Sequence, residues 1–176
     1  MSSQGGTGPE QVAGDERAAK DFARVLRGLV GKPLLFHIST PISGVMLELG
    51  ERVRLARPVD NPRLSAEQRE FEGDSNVFIT CTWWLDAPDG VIPSRGELDD
   101  LAWWEVQLAI LVGHTVEQVT STADRRQLQI QFDNNVWIVA DLARSQEHQE
   151  YSIRRGREYW TVSADGRLRY FKGRGA

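Results

Sequence analysis

The chain has a single cysteine, Cys81, among its 176 residues. An intramolecular disulfide framework is therefore excluded, and the composition fits a reducing compartment. Its three histidines, His37, His114 and His148, lack the i, i+4 spacing of a zinc helix. No metal or other cofactor is expected. No apolar run approaches the roughly 18 residues of a membrane span, so no membrane partner is expected. A large excess of one charge is lacking as well: the net charge of −4 argues weakly against a dedicated nucleic-acid binder. There is no Gly-x-Ser-x-Gly elbow, phosphate loop or dinucleotide fingerprint. No catalytic residues are expected, and an enzyme of unrecognised type ranks third among functions. Cys81 alternates with Ile79 and Trp83 and reads as a small buried hydrophobe. Residues 1–14 are rich in Ser, Gly and Gln and have no apolar h-region. They read as a flexible tail rather than a signal peptide, and a cytoplasmic protein is expected.

What is present is self-similarity. Leu29-Val30-Gly31 recurs as Leu111-Val112-Gly113. Before each glycine, Phe22, Leu26, Leu29 and Val30 fall on Trp104, Leu108, Leu111 and Val112, a spacing of 82 residues (Phe22 to Trp104). Beyond it, the alternating Val45, Leu47 and Leu49 match Leu128, Ile130 and Phe132, with one residue gained. A Trp-x-x-x-x-Asp-Gly-x-aliphatic signature closes each stretch: Trp84, Asp89, Gly90 and Ile92, then Trp160, Asp165, Gly166 and Leu168. Internal repetition decides architecture before any other feature. The expected fold is α+β: an internally duplicated helix–Gly–antiparallel β-meander unit, with two helices packed on sheet. The boundaries are a tail over 1–14, a first repeat over 15–92, a second over 93–171 and a basic tail over 172–176. A unit of about 80 residues is marginal alone, so the repeats are expected to share one core.

The pattern predicts a first helix from Asp15, a plausible N-cap, to Val30, with Gly31 as C-cap. Leu34, Phe36 and Ile38 alternate as a strand. A turn over Pro41–Gly44 leads to Val45–Leu49, and Gly50-Glu51 is a tight connection. Pro58–Gly73 reads as a long loop. Asn76–Asp86 reads as one strand, turned by Ala87-Pro88-Asp89-Gly90. Ser94-Arg95-Gly96-Glu97 has capping-box spacing ahead of a second helix, Glu97–Val112. The carboxylates Glu97, Asp99 and Asp100 lie where they complement that helix's dipole. Strands follow at Gln127–Phe132, Asn135–Ala140, Glu158–Val162 and Arg167–Phe171, and Arg144–Glu150 is a polar connection.

The two helices differ on the face away from the core. Lys20, Asp21, Arg24 and Gly28 on the first correspond to Ala102, Trp103, Val106 and Ile110 on the second. A helix apolar nearly all round is covered on two sides. The expectation is cover by the other repeat. The sharper reading is a partner surface made by Trp103, Val106 and Ile110. Trp84, opposite Trp83 on its strand, is a further partner-binding candidate. Another protein is thus the expected partner, and a homo-oligomer is compatible. The C-terminal stretch supports an alternative: Arg154, Arg155, Arg157, Arg167 and Arg169 are interleaved with Tyr151, Tyr159, Trp160, Tyr170 and Phe171. Basic residues among aromatics are the footprint of a nucleic-acid surface. Charged edge strands give the plainer account.

The succession of Gly113, Leu128, Ile130, Phe132, Asp133, Trp160, Asp165 and Gly166 resembles small bacterial β-meander domains of unknown function, found singly or in tandem. Some lie among toxin–immunity or other defence loci. The resemblance spans most of residues 15–171 and implies a non-catalytic protein-binding module, immunity-like or regulatory. It implies no catalytic residues.

Overall fold

The computed structural model describes residues 19–40, 44–93, 101–145 and 148–173. The expectations for the 1–14 tail, the Asp15 cap, residues 41–43 of the first turn, the Ser94–Glu97 capping box, the Glu97, Asp99 and Asp100 cluster, and Arg174 lie outside these residues.

Helix α1 covers residues 19–27. It is followed by β1 (Leu34–Ser39), β2 (Val45–Arg54), α2 (Ala66–Glu70), β3 (Phe71–Ile79), β4 (Thr82–Ala87) and β5 (Gly90–Pro93). Helix α3 (Leu101–Ala109) leads into β6 (Val116–Ser121), β7 (Gln127–Phe132) and β8 (Trp137–Asp141). A 3-10 turn, Leu142–Arg144, precedes β9 (Glu150–Arg155), β10 (Glu158–Ser163) and β11 (Leu168–Lys172). The strands form two antiparallel sheets, ordered β1-β2-β3-β9-β10-β11 and β5-β4-β8-β7-β6. One hydrophobic core joins residues from both sheets and both long helices, among them Phe22, Leu29, Leu47, Trp104, Leu111, Ile130 and Trp160.

Several sequence expectations change. Asn76–Asp86 is not one strand. Its inward set, Val77, Ile79, Cys81, Trp83 and Leu85, is buried throughout. However, the chain leaves the first sheet at Ile79 and enters the second at Thr82. The break is held by Thr80, whose N–H and hydroxyl both donate to the Glu150 carbonyl, and by Ser145 Oγ, which accepts from the Thr82 N–H at 2.8 Å. Period-2 alternation continues through a crossing, so periodicity could not reveal it. The Pro58–Gly73 loop contains α2, opened by a Ser65–Gln68 capping box, and β3 already begins at Phe71. Gly50 does not end β2. It is an irregularity within the strand, at φ +89°. Strands β6 and β9 had no counterpart in the expected elements. Both helices stop short of their expected ends, at residues 27 and 109. Their last turns tighten into i→i−3 bonds, and Val30 and Val112 turn outward.

The tightened turns match each other. The Leu29 N–H donates to the Leu26 carbonyl, as Leu111 does to Leu108; Val30 donates to Arg27, as Val112 does to Ala109. Gly31 and Gly113 follow at φ +84° and +85°. The two segments then bond to each other reciprocally. Gly31 N–H donates to the Val116 carbonyl at 2.8 Å, and Gly113 N–H to the Leu34 carbonyl at 2.8 Å. Leu34 N–H donates to His114, and Val116 N–H to Lys32, around the Pro33–Thr115 bridge. A register shift falls between Leu34 and Phe36 in β1, and between Val116 and Gln118 in β6. In β1 it sets His37 opposite Leu47, which accounts for its burial.

Across the first sheet one row of paired residues reads His37, Leu47, Val77, Ile153, Trp160, Tyr170. Across the second, the row through Val119 reads Val119, Ile130, Ile138, Leu85, Ile92. Counted from β1 and β6, Trp160 and Ile92 both fall fifth in their rows; counted from the opposite edges, Trp160 on β10 and Trp84 on β4 both lie on the second strand and open an edge hairpin. The strands do not divide between the sheets at residue 93: β1, β2 and β3 lie in one sheet and β4 and β5 in the other, whereas β6, β7 and β8 lie with β4 and β5, and β9, β10 and β11 with β1, β2 and β3.

Candidate functional site

Helix α3 is built on two apolar stripes. One packs inward: Trp104, Leu108 and, just past the helix, Leu111 are buried, and the Trp104 ring lies 4.5 Å from that of Trp83 on β4. The other stripe, at i, i+3 and i+7, holds Trp103, Val106 and Ile110, which are 36%, 65% and 44% exposed. Among the described residues, the expected cover by the other repeat does not extend to Val106 and Ile110. Trp103 sets its edge against Trp104, ring centres 4.7 Å apart, which holds the indole in place. Val112, 43% exposed, follows α3 in sequence.

The matched face of α1 is closed by polar groups. Asp21 and Arg24 form an ion pair at 3.4 Å. At Gly28 the Arg155 guanidinium lies across the backbone, so that a Cβ there would stand 2.5 Å from its Nη1. By the 82-residue spacing of the sequence, Gly28 falls on Ile110. Trp84 is half-buried on β4, with the Arg144 guanidinium 5.3 Å from its ring centre. It does not join the α3 stripe by strand face, since Trp83 is the neighbour that faces α3.

The five candidate arginines do not form one surface. Arg154 is buried and bonded to the Gly73 carbonyl at 2.8 Å, between Glu48 (3.4 Å) and Glu72 (3.0 Å). Burial raises the Glu48 carboxyl above the usual carboxylate range, against the lowering effects of the Gly73 N–H, Arg154 and Asn76. Arg155 lies on α1, and Arg157 is in the β9–β10 turn. Arg167 pairs with Asp165 at 3.1 Å, and Arg169 with Glu150 at 2.8 Å. Those two do line a cleft of about 630 Å³ with Arg126, Leu142, Ser145 and Ser163. Arg126 was not singled out in the sequence, because it comes from the β6–β7 turn. Among the described residues no aromatic side chain lines this cleft, and so none of them offers a stacking platform for bases.

The remaining chemistry is structural. Cys81 is buried, and desolvation pushes its thiol up to about 12, so it carries no thiolate near neutrality. Among the described residues, no three His, Cys, Asp or Glu side chains converge as a metal site, and no helix is long and apolar enough to cross a membrane. No family model, curated protein or solved structure matches the chain.

Proposed function

We propose that the chain is two copies of one helix-and-meander unit related by a local two-fold axis, and that it serves as a non-catalytic protein-binding module meeting its partner on the outer face of α3. The duplication is supported by the reciprocal bonds between 31–34 and 113–116, the equal register shifts in β1 and β6, and the like strand orders. The binding reading is carried by one observation. Trp103, Val106 and Ile110 are exposed together, while the equivalent places on α1 hold an ion pair and a glycine under Arg155. Exposed tryptophan beside aliphatics is the composition of an interface centre, where desolvation concentrates binding energy. The dispersal and pairing of the arginines argue against the nucleic-acid alternative.

The test compares captured proteins from the native host extract on the wild-type chain, on Trp103→Glu and on Lys20→Ala, by quantitative mass spectrometry. A specific partner should disappear with Trp103→Glu, stay with Lys20→Ala, and bind the purified chain stoichiometrically. A captured set unchanged by Trp103→Glu overturns the reading. Light scattering identifies self-association: a dimer dissociated by Trp103→Glu makes the partner a second copy.

A further inference from the structure

Three arginines from both sheets line the cleft of about 630 Å³. Arg126 comes from the β6–β7 turn of the second sheet, Arg167 from the β10–β11 turn of the first, and Arg169 from β11. The two turns are held together before any ligand arrives. The Arg126 N–H donates to Asp124 Oδ1 at 3.1 Å, and its carbonyl accepts from the Leu142 N–H at 2.7 Å. The Arg125 carbonyl accepts from the Tyr151 hydroxyl at 2.7 Å, and Arg125 Nε donates to the Gly166 carbonyl at 3.3 Å. At Gly166, φ +78°, a Cβ would collide with the Asp124 carbonyl oxygen, so only glycine lets the turns approach this closely. A wall fixed in this way loses little conformational freedom when the cleft is filled.

The cleft holds more donors than the protein itself engages. Among the described residues the Arg126 guanidinium makes no hydrogen bond or ion pair, and its Nε is buried without a partner. Arg167 uses Nε on Asp165 at 3.1 Å, and Arg169 uses Nη2 on Glu150 at 2.8 Å; the other N–H groups of both have no partner among the described residues. Both ion pairs are exposed, so their carboxylates give way readily to a better acceptor. The Ser145 and Ser163 hydroxyls already donate to the carbonyls of Asp141 and Arg167. The unengaged donors are therefore those of the arginines, and three guanidinia against two carboxylates leave one positive charge.

We infer that this cleft binds a phosphate group, free or carried on a small polar ester. The site shares no lining residue with the α3 stripe and does not depend on the protein-binding reading. A carboxylate has both oxygens in one plane and is satisfied by one guanidinium fork. A phosphate presents oxygens in several directions and accepts from guanidinia on different walls. Arg126 supplies the unengaged fork, and Arg167 and Arg169 add N–H groups from the other sheet. The volume leaves room beyond the phosphate. Leu142, Ala164 and the two serines around it, with no aromatic among the described lining residues, suit a small polar body and not a stacked base.

Inorganic phosphate and ribose 5-phosphate are each titrated into the full chain at constant ionic strength, followed by NMR of amide and arginine side-chain N–H groups. Both should give saturable shifts at Arg126, Ser163 and Arg167. Arg126→Gln should weaken binding about tenfold or more, whereas Arg157→Gln, in the β9–β10 turn outside the cleft, should leave it within about twofold. Arg167→Gln, at a side chain 83% exposed, should also weaken binding and serves as the test if Arg126→Gln does not fold. Ribose 5-phosphate bound about tenfold or more tighter than inorganic phosphate identifies an ester as the ligand, and closer affinities identify the free ion. Absence of saturable shifts, acetate bound as well as phosphate, or Arg157→Gln as harmful as Arg126→Gln overturns the inference.

Discussion

Helices α1 and α3 begin from nearly the same inner stripe and end in different situations. Phe22, Leu26 and Leu29 bury themselves as Trp104, Leu108 and Leu111 do. Outside, α1 is finished: Asp21 holds Arg24, and Arg155 lies flat on Gly28. On α3 the same three places are Trp103, Val106 and Ile110, which are 36%, 65% and 44% exposed. The neighbouring sheets differ in the same sense, with β11 completing one edge and nothing described beyond β5 on the other. The comparison teaches that the inner stripes of the two helices are alike and that the difference lies on their outer faces. An apolar surface of this kind reduces solubility unless something covers it, which makes the outer face of α3 the place to look for a partner.

The largest test of the equivalence is in the core. Trp104→Ala and Phe22→Ala should each lower the unfolding free energy by about 3–5 kcal/mol, since each removes a large buried ring. Chemical denaturation showing one change near zero would break the correspondence of the inner stripes. The glycine turns come next. Gly31 and Gly113 have left-handed backbones with open space around the missing Cβ, so strain alone should govern substitution. Gly31→Ala and Gly113→Ala should each cost about 1–2 kcal/mol, and clearly unequal costs would mean the two turns are not the same device. On the outer faces, Trp103→Ala should cost about 1 kcal/mol through its edge contact with Trp104. Val106→Ala and Lys20→Ala should each stay below about 0.5 kcal/mol. A loss of several kcal/mol at Val106 would show that α3 is covered within the chain after all.

The smallest expected effect separates the two junctions. At matched positions Lys32 bonds Asp74 at 2.6 Å, whereas His114 bonds Asp133 at 2.6 Å. The hydrogen bond from His114 is the main reason the Asp133 carboxyl lies below its ordinary value. A lowered carboxyl contributes stability above its unfolded-state pKa and loses it as the pH falls through the folded value. Denaturation midpoints of wild type and Asp133→Asn should therefore differ near neutrality and converge in acid. A difference that persists at low pH would assign the bond's effect to something other than the carboxylate.

Much of this was readable along the chain. The spacing of Phe22, Leu26 and Leu29, and of Trp104, Leu108 and Leu111, determined which helix faces are buried, because a 3.6-residue period leaves no other common side. Glycine at 31 and 113 determined where each helix gives way, since a left-handed residue there is cheap only without a Cβ. Alternation placed Val77, Ile79, Cys81, Trp83 and Leu85 on one face, and the apolar second stripe marked Trp103, Val106 and Ile110 as residues that the other repeat or another chain must cover. Only the tertiary structure decided whether anything covers them. It alone also decided that β4 leaves the sheet of β3, that Arg154 is sealed between Glu48 and Glu72, and that β5 pairs, among the described residues, with β4 alone. Those are pairings between residues far apart in sequence. An alternating strand carries the same side-chain pattern whichever sheet it joins, and an arginine's own sequence neighbours do not disclose the carboxylates brought to it by strands 80 or more residues away, as Glu72 and Glu48 are from Arg154.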